Sequence, residues 1–161
     1  MDKRFAVRIC ADHLSFSSAH FLTFDDGSRE ELHGHNYRVR VLLQGEPDPS
    51  GMVIDFILLT SFVEEICRTL GHRVLLPQTN PRLRIEQDEK NIRVHFGEDV
   101  FSFPVRDVLV LPVPNVTCEL LARHIAGLLK ERIRCDCGNI SLQQLEIELE
   151  ELPGQSAIYR E

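Results

Sequence analysis

The sequence predicts an α+β domain, an antiparallel four-stranded sheet with two helices packed on one face, in the order ββααββ with an inserted β-meander. Three observations predict it. Apolar and polar residues alternate near both ends of the chain, which is the period of a strand. Two inner stretches repeat their apolar residues at three and four, which is the period of a helix. Clusters of Gly, Pro, Asp and Asn separate these segments. At 161 residues with 43% apolar content, folding buries about two-thirds of the extended-chain surface, enough for one core over residues 1–161 without disulfides or a structural metal.

From Phe5 to His20 the alternation changes parity: Phe5, Val7 and Ile9 are odd, whereas Leu14 and Phe16 are even. A long strand with a bulge near Ala11 to His13 accounts for this. Asp25-Asp26-Gly27-Ser28 is a turn, and His33 to Leu43 forms the partner strand, with His33, His35, Tyr37, Val39, Val41 and Leu43 on one face. After a Pro/Gly-rich loop, Asp55 caps a helix to about Leu70, and Gly71 stops it. Three short alternating pieces between Arg82 and Pro104 read as the meander. A second helix runs from near Thr117 to about Arg134. Leu145, Ile147 and Leu149 then alternate against Glu146, Glu148 and Glu150, and a Pro153-Gly154 turn leads to a last strand near Ala157 to Tyr159.

Eighteen basic and 25 acidic residues give a net charge of −7, which disfavours broad attraction to nucleic acid or anionic lipid and favours a small-molecule partner. The first residues hold no apolar signal core, and no apolar run approaches the roughly 18 residues of a transmembrane helix. The expected location is cytoplasmic. Five scattered cysteines suit reduced thiols. Cys135-Asp136-Cys137 is either a metal-binding pair or a helix-ending turn, and the following glycine favours the turn.

The chemistry centres on His33-Gly34-His35. At i and i+2 on a strand, two imidazoles point the same way about 6–7 Å apart at the backbone, and His20 lies at the end of the partner strand. Three neutral imidazoles with a fourth position open are the donor set of a catalytic zinc. Taken alone, a His-x-His pair also reads as two polar residues on a half-exposed face.

The surrounding words settle on one resemblance. Phe16-Ser17-Ser18-Ala19-His20, Leu32-His33-Gly34-His35-Asn36-Tyr37, Gly51-Met52-Val53-Ile54-Asp55-Phe56, Leu70-Gly71-His72-Arg73, Thr117-Cys118-Glu119, and Glu151 eight residues before Tyr159 occur in order. In this the chain resembles the 6-pyruvoyltetrahydropterin synthase / 6-carboxytetrahydropterin synthase family over nearly its whole length except the meander, where about 82–110 is an extended insertion, longer than the family usually has there. The resemblance implies the tunnelling fold, assembly as a trimer or pair of stacked trimers, Zn2+ held by His20, His33 and His35, and a pterin anchored by Glu151, with Thr117 and Glu119 in a secondary role. Chemistry agrees for Glu151, because a carboxylate ending a buried face needs a partner and a pterin edge offers two adjacent N–H donors. Glu119 is equally explained by the helix dipole.

Two departures bear on the reaction. Where family members acting on the triphosphate carry a cysteine four residues before the first histidine of His-Gly-His, this chain has Arg29, and Glu30 stands three before it. Glu-x-x-His-Gly-His resembles the variant class that cleaves 7,8-dihydroneopterin, which implies Glu30 as general base. On local sequence alone Glu30 is a solvated loop residue. The family's Asp-His pair is Gly71-His72 here, so His72, the implied proton relay, lacks its adjacent carboxylate. Two other outcomes stay open: a synthase acting on 7,8-dihydroneopterin triphosphate, and a non-catalytic pterin or purine binder.

Overall fold

The computed structural model describes residues 5–138 and 140–161. The expected long first strand is two, β1 (Phe5–Ile9) and β2 (Ser15–His20), and both pair antiparallel with β3 (His33–Gly45). Ile9 stands opposite Val41 and Ser15 opposite Arg38, so six steps along the first segment match three along β3. The odd surplus inverts the parity, which is why Ile9, Leu14 and Phe16 reach the same core. Leu14 N donates to Ala11 O at 3.0 Å within the break, and Val39 N donates to Leu14 O at 2.8 Å as pairing resumes.

On its other side β3 pairs with β9 (Leu142–Leu152), and β9 with β10 (Gln155–Arg160), all antiparallel. Beyond β2 the sheet continues through β4 (Arg73–Pro77) and β8 (Val108–Leu111), both paired parallel. The sheet therefore has seven strands where the sequence predicts four, in the order β10-β9-β3-β2-β4-β8 with β1 alongside β3. The added strands are short apolar runs, Val74-Leu75-Leu76 and Val108 to Leu111, which lack the alternation that marks a half-buried strand.

The helices α1 (Phe56–Leu70) and α2 (Cys118–Cys137) form where capping and periodicity predict them. Asp55 accepts from Ile57 N at 2.7 Å, and Thr117 accepts from Leu120 N at 3.3 Å. Both lie on one face of the sheet, α1 against β2 and α2 against β9 and β10. Leu59, Phe62, Leu121, Ile125 and Leu129 meet Tyr37, Val39, Val41 and Leu43 in the main core. Truncating a fully buried leucine there to alanine costs about 2–5 kcal/mol. Cys135 and Cys137 lie in the last turn of α2, and Gly138 with φ 66° ends it, so this segment is a helix terminus. No helix among the described residues is long and apolar enough to cross a membrane.

The meander is a separate antiparallel sheet, β5 (Arg84–Gln87), β6 (Asn91–Phe96) and β7 (Asp99–Pro104). It ends earlier than the predicted 82–110 insertion, since Val108 to Leu111 join the main sheet. Ile92 and Val94 pack with Phe21, Leu76 and Val108 in a second core, fastening the meander to the end of the main sheet beside the histidines.

Candidate metal centre and active site

Strand pairing brings the three histidines together. His20 is opposite His33 across the β2–β3 ladder, and His35 lies two residues on along the same face. Their ligand nitrogens fall within 4.8 Å of one another, and the ring centroids stand 4.8–5.4 Å apart. Such a cluster needs the strands close, and Gly34 provides for it. A Cβ there would lie 3.1 Å from Ser18 O and 3.7 Å from Ala19 Cα, a contact with backbone that cannot swing aside.

The tautomers suit a metal. His20 Nδ1 lies 2.8 Å from Val116 O and His33 Nδ1 2.8 Å from Glu31 O. A carbonyl oxygen only accepts, so Nδ1 carries the proton in both rings and the neutral Nε2 presents a lone pair. His20 is 1% exposed, and burial is the main influence holding its pKa below the ordinary histidine value, opposed by its bond to Val116 and by Glu151. Burial thus keeps it neutral, the form that ligates. Three imidazoles of this kind fit Zn2+.

Around them the structure gathers two carboxylates and a phenol. Glu30 Oε2 lies 3.9 Å from His33 Nε2 and accepts from Leu22 N at 3.2 Å. Glu151 Oε1 stands 3.5 Å from His20 Nε2 and 3.4 Å from His35 Nε2. The Tyr37 hydroxyl donates to Glu151 Oε1 at 3.1 Å and lies 3.3 Å from His20 Nε2. Tyr37 is fully buried and stacked on Phe16 with centroids 4.9 Å apart. Burial, and next the charge of Glu151, push its pKa up, so it stays a donor. Sequence reading put Tyr37 on the histidine face and gave it no role; the signal was its place at i+4 from His33.

The remaining sequence-predicted residues stand further out. His72 follows α1 at φ 57°, a left-handed conformation that a non-glycine residue seldom adopts, while Gly71 before it has φ −70°. His72 N donates to Ser17 O at 2.7 Å, pinning the turn to β2. The residue is exposed and lines, with Ser17, Gly34, His35 and Arg73, a cleft of about 450 Å³. His35 also borders a cleft of about 290 Å³ with Asn36, Glu150 and Glu151. Thr117 caps α2 one residue past the carbonyl that holds His20, and Glu119 is exposed in the first turn of that helix.

Comparison with known proteins bears on the family and the fold. The profile of the 6-pyruvoyl tetrahydropterin synthase family matches residues 9–161. The chain belongs to this family. A family relative in Methanocaldococcus jannaschii, provisionally named 6-carboxy-5,6,7,8-tetrahydropterin synthase, is 34% identical over 91% of the chain and 90% of its own length. A Pyrococcus furiosus relative named dihydroneopterin monophosphate aldolase is 38% identical over 38% of the chain and 51% of its own length. Among solved structures, 6-pyruvoyltetrahydropterin synthase of Plasmodium vivax superposes with a TM-score of 0.92 at 31% identity, covering 99% of both chains. That structure is of a variant carrying alanine in place of a glutamate described as catalytic. The tunnelling fold of the family is thereby the fold of this chain.

Proposed function

We propose that this family member is a zinc-dependent lyase that cleaves the C6 side chain of 7,8-dihydroneopterin, giving 6-hydroxymethyl-7,8-dihydropterin and glycolaldehyde. The observation that carries the reading is the approach of Glu30 to His33, 3.9 Å, with Arg29 in the position where a catalytic thiol would be needed for the synthase reaction. The aldolase name of the Pyrococcus furiosus relative supports the cleavage, and the Plasmodium vivax neighbour, named a synthase, supports a glutamate in a catalytic role.

His20, His33 and His35 would hold the ion through Nε2. Zinc bound there supplies positive charge that acidifies and polarises the hydroxyls of the substrate side chain. Glu30 takes the proton of the C2′ hydroxyl. As C2′ becomes the aldehyde carbon of glycolaldehyde, the C1′–C2′ electron pair passes into the dihydropterin ring, and His72 returns a proton to C1′. Glu151 accepts the two N–H groups of the aminopyrimidine edge and so fixes the ring, with Thr117 and Glu119 as further contacts. The working form is a homo-oligomer, a trimer or two stacked trimers, which would cover the open sheet edges at β8 and β10. Its substrate is a free pterin, and the location expected is cytoplasmic.

A second reading, a synthase acting on 7,8-dihydroneopterin triphosphate, draws on the name of the Methanocaldococcus jannaschii relative. Incubating zinc-loaded protein with 7,8-dihydroneopterin and, separately, with its triphosphate distinguishes them by product mass. Glycolaldehyde with 6-hydroxymethyl-7,8-dihydropterin is the expected result. Release of inorganic triphosphate points to the synthase, and bound pterin without product to a binding protein.

A further inference from the structure

We propose that the meander is a clamp on the general base: Asp99, through Arg29, holds the segment that carries Glu30, which makes Arg29 and Asp99 positioning residues for the reaction. The inference rests on the reading of Glu30 as that base.

The loop before β3 is closed on itself, and the Glu30 carboxylate accepts from Leu22 N within it at 3.2 Å. A bridge between Thr23 and Arg29 and a bond from Glu30 N to Leu22 O at 2.9 Å close it as a small hairpin. From Glu30 to Leu32 the chain then enters β3 outside any strand ladder, with Glu31 O against His33 Nδ1. Arg29 ties this hairpin to the meander. Its Nε and Nη2 donate to Asp99 Oδ2 at 3.0 and 2.5 Å, and its Nη1 donates to Glu30 O at 2.8 Å. Every guanidinium nitrogen is thus engaged, two with the meander and one with the backbone of the proposed base.

Aromatic rings fix the plane of that fork. The Arg29 guanidinium carbon stands 4.8 Å from the Phe101 centroid, 5.8 Å from Phe21 and 5.9 Å from Phe96. Phe21 belongs to the main sheet's end, Phe96 and Phe101 to the meander, so the cation sits in the joint between the two. Asp99 is 55% exposed, and an ion pair so placed adds little to global stability. Its consequence is geometric: the joint fixes the backbone of Glu30, whose carboxylate accepts from Leu22 N and lies 3.9 Å from His33 Nε2. A lysine could not replace this arginine, because a single ammonium on a flexible stem does not span both Asp99 and Glu30 O in a fixed plane.

The test is kinetic, with 7,8-dihydroneopterin as substrate and zinc content measured in each variant. Asp99→Ala and Arg29→Lys should each lower kcat about 10- to 100-fold, the scale of a misplacement near 1 Å, with KM and bound zinc unchanged. The deciding variant combines Asp99→Ala with Glu30→Gln: if Asp99 acts through Glu30, the double variant is no slower than Glu30→Gln alone. Parental kcat in both single variants overturns the clamp, and so does an Asp99→Ala loss that persists in full in the Glu30→Gln background. A slow Glu30→Gln beside a parental Asp99→Ala removes the clamp alone, whereas a parental rate in Glu30→Gln removes the general-base reading and the clamp with it.

Discussion

The hydroxyl of Tyr37 donates to Glu151 Oε1 at 3.1 Å, from a ring fully buried between strand and helix layers. A carboxylate that reaches the metal face from the end of β9 is thereby held by a donor from the middle strand. Tyr37→Phe keeps the stack on Phe16 and removes the donor alone. A hydrogen bond to a charged group contributes about 1.5–3 kcal/mol, so pterin affinity should fall roughly 10- to 100-fold, as measured by calorimetry. Glu151→Gln, which opposes a donor to one pterin N–H, should weaken binding in the same direction while zinc content stays constant.

Zinc content tests the triad directly. His33→Ala and His35→Ala should each lose most of the bound metal, read by elemental analysis after dialysis. His13, which pairs with Glu64 at 3.1 Å, and His95, which pairs with Glu86 at 3.3 Å, lie outside the cluster, and their alanine variants should retain it. Protein that never holds a stoichiometric divalent metal would contradict the donor set.

Glu30→Gln removes a proton acceptor at nearly constant volume. A general base contributes about 10²- to 10⁴-fold, and that loss should appear in kcat with zinc and pterin binding intact. Glu31→Gln is the control, since only the backbone carbonyl of Glu31 touches the site, at His33 Nδ1.

His72 needs a substitution that tolerates φ 57°. Asparagine accepts left-handed backbone far better than alanine does, so His72→Asn should keep its melting temperature and lose turnover. A variant that turns over at the parental rate would show that the proton to C1′ comes from elsewhere.

His124 on α2 gives a pH dependence separate from the site. Burial lowers its pKa below 6.5, so the unfolded chain takes up its proton first as pH falls. The stability associated with the neutral ring is fully present above pH 6.5 and is lost as pH falls through the lower folded value. His124→Gln should flatten the stability curve below pH 6.5 in urea titrations. A slope identical to the parent's would show that this ring does not carry the linkage.

Much of this architecture was legible because it is periodic or chemically specific. The parity break between Ile9 and Leu14, the cap at Asp55 and the turns of the meander each follow from local rules, and so does the shared face of His33, His35 and Tyr37. The strands β4 and β8 were hidden, since parallel pairing of short apolar runs depends on partners distant in sequence. Arg29 was hidden for the same reason: it appears as a charged loop residue until the fold brings Asp99, 70 positions away, against it. Gly71 ends α1 as expected, yet the left-handed residue is His72, a choice made by the bond from its amide to Ser17 rather than by residue type.

The unequal lengths of the two backbones between Ile9 and Ser15 make that segment a slack joint. β1 and β2 each take their facing from their own ladder to β3, so a residue gained or lost between Cys10 and Leu14 is taken up by the unpaired break. A slip of one residue inside the β2–β3 ladder is different, because it turns His20 to the opposite surface, away from His33 and His35. The convergence of the three imidazoles therefore depends on the phase of that one ladder and not on the length of the chain that leads into it.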